Sequence, residues 1–264
     1  MSPMNARREL ILDEMGLTPR WVLRGADDDS AASVAETVET VPEIASSSMP
    51  ATENPADFAV VRPVAETASS SLELEWPQLI EHIKGCRACG LCAQRKQAVP
   101  GVGDQEADWL FIGEGPGAEE DARGEPFVGQ AGKLLDAMLA AIGLVRGQGV
   151  YIANAVKCRP LGNRTPEEAE IAACYPYLRR QIALIRPKLI VLLGRAAVAS
   201  VLKENASLSS LRGKQRFYCE DGLNIPVVVT YHPAYLLRNL PDKAKAWEDL
   251  CRARALMRQQ TAVG

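Results

Sequence analysis

Long apolar runs are missing from this 264-residue chain. The nearest approach is LIVLLG at Leu189 to Gly194, far short of the roughly 18 residues that a membrane span requires. The N-terminus, MSPMNARRELILDEMG, is charged and lacks the apolar stretch of a secretory signal, which argues against a framework of secreted disulfides. The seven cysteines are therefore expected to be reduced, in a cytoplasmic protein that meets no membrane. No internal repeat is found. The loop GEGPG, Gly113 to Gly117, is neither GxGxxG nor a loop ending in Gly-Lys-Ser/Thr, which disfavours a nucleotide site. Its glycines more simply allow backbone N–H groups to approach a ligand, with Pro116 stiffening the turn.

Between about Gly25 and Leu72 the composition turns to Ala, Ser, Glu, Asp, Val and Pro, with Phe58 the only aromatic and no apolar periodicity. Such a stretch buries too little surface to offset its ordering entropy, so residues 26–72 are expected to be a disordered acidic linker. Ahead of it, Leu10, Ile11, Met15 and Leu17 stand at helical spacing, and the segment ends in Trp21, Val22 and Leu23. Residues 1–25 therefore read as a short helix with a sticky end. Charge divides along the same line: residues 1–79 hold 5 Lys or Arg against 14 Asp or Glu, and residues 80–264 hold 25 against 19. The basic part could take a polyanion, and the acidic part could compete for it.

Beyond Ala107, short β-rich runs alternate with helices. WLFIGE (109–114), VYIANAV (150–156), KLIVLLG (188–194) and IPVVVTY (225–231) are continuous apolar runs, as buried parallel strands are. Helices are expected at 130–144, 166–185, 195–203 and 242–257, the second capped by Thr165, with Pro166 in its first turn and Glu168 completing the box. The expected fold is a three-layer α/β/α domain, residues 73–264, around a mostly parallel four-stranded sheet. Ligands of such sheets sit beyond the carboxyl ends of the strands.

That rule selects the loops after the four strands. His232, one of two histidines, follows the last strand, precedes Pro233, and faces the loop carrying Glu114 and Glu120. His82, on a helix, reads as structural. GCRACGLC places Cys86, Cys89 and Cys92 within seven residues, but a ferredoxin run needs a fourth cysteine where Lys96 stands. A single CxxC needs two further thiolates, and Cys158, Cys174, Cys219 and Cys251 are available. Spacing does not separate zinc from an iron–sulfur cluster or from ordinary buried cysteines.

Five ordered motifs narrow this. The CxxC with Leu91 and Arg95, GEGPGxxED (Gly113 to Asp121), GxPFVGxAGxLL (Gly124 to Leu135), YIANAVKCRPxxNRxP (Tyr151 to Pro166) and HPAYLLRN (His232 to Asn239) resemble a family 4 uracil-DNA glycosylase over about Leu79 to Leu256. The resemblance implies a DNA-repair hydrolase that flips uracil into a pocket and releases it. It implies a 4Fe-4S cluster on Cys86, Cys89, Cys158 and Cys174, leaving Cys92 spare. It places the uracil pocket on Glu114, Glu120, Phe127, Asn154 and His232.

Phe127 would stack on the base, and the Asn154 amide would pair with uracil O4 and N3–H, a pattern that cytosine reverses. His232 would donate to O2, assisted by the backbone N–H of Gly115, while Glu114 and Glu120 share the carboxylate work. Tyr235, Leu236 and Leu237 would wedge into the minor groove, and Arg238, Arg212, Lys214 and Lys157 would meet phosphates. The implied protein is a bacterial monomer acting on uracil-containing DNA, its N-terminal helix free to bind a repair or replication partner. Two rivals remain: a covalent uracil-DNA binder, whose Arg-Ile-His insertion is lacking in KCRPLGNRTP, and a non-catalytic cluster protein acting as an adaptor.

Overall fold

The computed structural model describes residues 73–263, with side chains to 260. The expected N-terminal helix (1–25) and acidic linker (26–72) lie outside the described residues.

The chain enters through helix α1 (Trp76–Gly85), a 3-10 turn over Gly90–Ala93, and a two-residue strand β1 (Val102–Gly103). Strand β2 (Trp109–Gly113) leads through the short α2 (Ala118–Arg123) to α3 (Gln130–Ala141). Then come β3 (Val150–Asn154), α4 (Glu168–Ile185), β4 (Leu189–Leu193), α5 (Arg195–Leu202) and α6 (Leu208–Leu211). Strands β5 (Arg216–Tyr218) and β6 (Ile225–Thr230), then α7 (Pro233–Arg238) and α8 (Asp242–Val263), complete the domain.

The sheet runs β1-β3-β2-β4-β6-β5, so it has six strands rather than four. The four expected strands form its parallel centre, and the two additions are antiparallel edges of two and three residues, too short to show a period. Every residue of the central strands is buried, because both faces are covered. Alternate residues serve opposite layers. Trp109 and Phe111 pack with Leu135, Leu139 and Leu250 of α3 and α8, whereas Leu110 and Ile112 pack with Leu178, Ile182 and Val198 of α4 and α5. A third apolar cluster joins Leu79 and Ile83 of α1 to Ile171 and Tyr177 of α4.

Helix α4 begins two residues later than its Thr165 cap signal. Its N-cap is Glu167, whose backbone N–H donates to Glu170 Oε2 at 2.8 Å, while Arg164 grips the same carboxylate at 2.7 and 2.9 Å. That ion pair holds the preceding loop extended, and Thr165 is left exposed at the cleft described below. Helix α8 continues past 257 to Val263, and His82 shares a 3.1 Å hydrogen bond with the Tyr177 hydroxyl, which fits its structural reading.

Candidate active site

A cleft of about 1080 Å³ opens where β2, β3, β4 and β6 end. Gly113 and Asn154 are register partners on β2 and β3, and a Cβ on Gly113 would stand 2.5 Å from both Asn154 Oδ1 and Phe127 Cζ. Only glycine lets these two side chains converge. Asn154 is 2 % exposed, and its Oδ1 has no hydrogen-bond partner among the described residues. A buried unpaired acceptor costs about 1–3 kcal/mol, so its persistence at a cleft floor indicates a ligand donor.

Phe127 has φ 55°, the left-handed region that costs a bulky residue energy. Three neighbours hold it there. Arg146 donates to the carbonyls of Pro126 and Phe127 at 3.0 and 2.9 Å. Gly132 packs so closely that a Cβ would fall 1.8 Å from the Phe127 oxygen. Glu120 Oε1 accepts from Val128 and Gly129 N–H at 2.9 and 3.1 Å, and its Oε2 from Gly117 N–H at 3.1 Å. The Phe127 ring then faces His232 with centroids 5.4 Å apart and planes 30° apart.

His232 caps α7: its Nδ1 accepts from the Ala234 N–H at 3.2 Å, so the neutral ring carries its proton on Nε2. Burial, and then the nearby Arg238 charge, push its pKa down to about 4, against a weaker opposite pull from Glu120. Gly194, at φ +95°, makes room for it, a Cβ there lying 3.2 Å from that of His232. Glu114 lines the same cleft half-buried; burial raises its pKa and a hydrogen bond with Thr165 partly offsets the rise.

Glu120 also lines the cleft, and both its oxygens hold backbone N–H groups, so it frames the loops of Gly117 and Phe127 there. Leu236, expected at the DNA-facing surface, does not stand there. It is 1 % exposed, packed in the core beneath α7, and a helix turns it away from solvent just as it turns Leu237 outward at 42 %. Tyr235 lines the cleft, stacks on Tyr231 at 5.1 Å and donates its hydroxyl to Asp242 at 2.6 Å; Arg238 stands exposed at the rim. Lys157 is not a surface cation: it is 1 % exposed, with Nζ donating to the Asn154 carbonyl at 2.9 Å and to Gln181 Oε1 at 2.6 Å. Arg212 is committed to Asp249 at 2.5 Å, whereas Lys214 is exposed. Sequence reasoning missed Arg146, which carried no motif signal, and the role of Gly132, whose only signal was the GxAG spacing after PFVG.

Residues 100–251 match the family model described as the uracil DNA glycosylase superfamily. This chain belongs to the uracil-DNA glycosylase superfamily. It is similar to a type-4 uracil-DNA glycosylase of Saccharolobus solfataricus, 45% identical over 175 residues, 65% of this chain and 81% of that one. A type-4 enzyme of Thermotoga maritima is 40% identical over 183 residues, 68% of this chain and 93% of its own. A type-5 uracil-DNA glycosylase of Thermus thermophilus matches over 119 residues, 39% of this chain, at 38% identity.

In this uracil-DNA glycosylase superfamily member, the cysteines sort themselves behind the cleft. Cys158 and Cys174 are buried in the third apolar cluster, and Cys86 and Cys89 pack against it. Hydrogen-bond donors already point at three of the four sulfurs. Arg95 Nη1 lies 2.7 Å from Cys158 Sγ, Lys157 N–H donates to Cys174 Sγ at 3.2 Å, and Ala88 N–H to Cys86 Sγ at 3.5 Å. Burial pushes the Cys158 and Cys174 thiols up to about 11 and about 12, so without a cation they stay protonated. Among the described residues no group of three or more His, Cys, Asp or Glu is arranged to hold a single ion. Four sulfurs in or against an apolar wall, three of them with N–H donors, nonetheless fit the donor chemistry of an iron–sulfur cluster. Among the described residues no helix is long and apolar enough to cross a membrane.

Proposed function

We propose that this chain removes uracil from DNA by hydrolysing the N-glycosidic bond, leaving free uracil and an abasic site. The unpartnered, buried Oδ1 of Asn154 beside Phe127 carries the reading. A base flipped into the cleft lies against the Phe127 ring, with its edge on Asn154. Oδ1 accepts from N3–H while the amide NH₂ donates to O4; cytosine offers an acceptor and a donor in the opposite places and is refused.

Bond breaking leaves negative charge on the uracil and positive charge on the sugar. The Nε2–H of neutral His232 donates to O2 as that charge grows, backbone N–H groups near Gly115 assisting. Glu114 faces the cationic sugar and orients the attacking water, and Glu120 keeps the loops of Gly117 and Phe127 in place. Tyr235, Leu237 and Arg238 meet the DNA beside the vacated stack.

Cys86, Cys89, Cys158 and Cys174 would hold a 4Fe-4S cluster, which when bound supplies thiolate bonds tying the start of the domain to the segment behind Asn154. The glycosylase domain is 73–264, acting as a cytoplasmic monomer, and residues 1–25 would be the part free to take a repair or replication partner.

A single-uracil oligonucleotide tests the reading. Free uracil released with turnover is expected, and His232→Ala should lower the rate about 10²–10³-fold while the protein stays folded. A denaturant-stable protein–DNA adduct would favour the covalent binder instead, and neither product would leave the adaptor.

A further inference from the structure

A second hollow, of about 590 Å³, opens beside the cysteine segment. Lys84, Arg87, Arg95, Lys96 and Arg123 line it against one carboxylate, Glu125. Two of these cations are engaged: Lys84 pairs with Glu81 at 2.7 Å, and Arg95 bonds to Cys158 Sγ and the carbonyls of Lys84 and Cys86. Arg87, Lys96 and Arg123 are exposed, with no carboxylate partner among the described residues. Asp121 forms no ion pair with their side chains: it is 1 % exposed and its oxygens accept from the Lys96 and Gln97 N–H groups. A concave surface lined by one sign of charge focuses its field on a counter-ion.

Position says which anion. Helix α2 belongs to both hollows: Glu120 lines the uracil cleft, and Arg123, one turn on, lines the basic one. Three residues of helix advance about 5 Å, while a DNA strand advances about 3.4 Å per nucleotide. Gln97 also donates to the Ala122 carbonyl at 2.7 Å, docking the cysteine segment on that helix. We propose that this hollow binds a backbone phosphate of the substrate, a few nucleotides from the excised base, through Lys96 and Arg123. The proposal rests on the uracil-excision reading above. DNA already lying in the cleft reaches the hollow without a second binding event, which favours it over the acidic stretch of residues 26–72.

The test uses the full chain and its Lys96→Ala/Arg123→Ala variant. Binding is measured between 50 and 200 mM salt, to a duplex of about 30 base pairs carrying cleavage-resistant 2′-fluorodeoxyuridine. The variant should bind about tenfold or more weakly, with its log–log salt slope shallower by about 0.9, the value for one lost phosphate contact. A trinucleotide with the same base, too short to reach the hollow, should bind both proteins alike. Unchanged affinity and slope on the long duplex, in a wild type that excises uracil, would overturn the phosphate site alone. Tighter binding by the variant would overturn it too, and would assign the hollow to the acidic stretch. A wild type that releases no uracil from any DNA would sink the excision reading, and this proposal with it.

Discussion

Asn154 and His232 offer the cleft opposite chemistry, one leaving an acceptor bare and the other keeping a donor neutral. For His232 the sign of the pH effect follows from its depressed pKa. An ordinary histidine titrates near 6.5, so the unfolded chain binds this proton more readily than the folded one. Stability from this residue is complete above pH 6.5 and lost as pH falls toward about 4, by about 3 kcal/mol in all. Imidazole ¹⁵N shifts should therefore report a neutral, Nε2-protonated ring from pH 8 to 5; a cationic ring at pH 6 would refute the donor assignment. Both residues were legible in the sequence, as a polar residue ending an apolar strand and as a histidine at a strand end before proline. Lys157 was not, since a lysine next to a cysteine reads as surface until Gln181 of α4 is seen to take its ammonium inside.

Among elements, the turn from Glu114 to Gly132 carries the most constraint, because a phenylalanine in the left-handed region needs every neighbour that holds it. Gly132→Ala should destabilise the protein by about 1–3 kcal/mol, as overpacking does, and lower uracil excision by displacing Phe127. Urea unfolding and release rates check this, and wild-type values in both would mean the loop has slack. The helices themselves were readable from caps and spacing, but their ends were not. Helix α4 shows why: Thr165 and Pro166 are good start signals, yet the Arg164–Glu170 ion pair, invisible before folding, moves the start. In α7 the two leucines of AYLLRN are identical as sequence, and only the helix's rotation makes Leu236 core and Leu237 surface.

At the scale of the whole molecule, continuous apolar runs announced the parallel centre of the sheet, and the short edges β1 and β5 escaped because they have no such run. The ligand set Cys86, Cys89, Cys158 and Cys174 was implied by resemblance rather than spacing; the fold places all four in or against one apolar cluster, with no group of three arranged to hold a single ion among the described residues. Cys92 lines the basic hollow instead and lies outside that cluster. Cys92→Ala should keep the brown colour, the absorbance near 400 nm and full uracil release, whereas Cys174→Ser should lose iron and lower the melting temperature. A colourless wild type with stoichiometric zinc would refute the cluster. The separation of these cysteines along the chain also has a history within each molecule's synthesis. At 5–20 residues per second, Cys86 leaves the ribosome roughly 4 to 18 s before Cys174. For most of that interval the first two thiols stand without the other two, so a cluster held by all four would close only after Cys174, on α4, has been made.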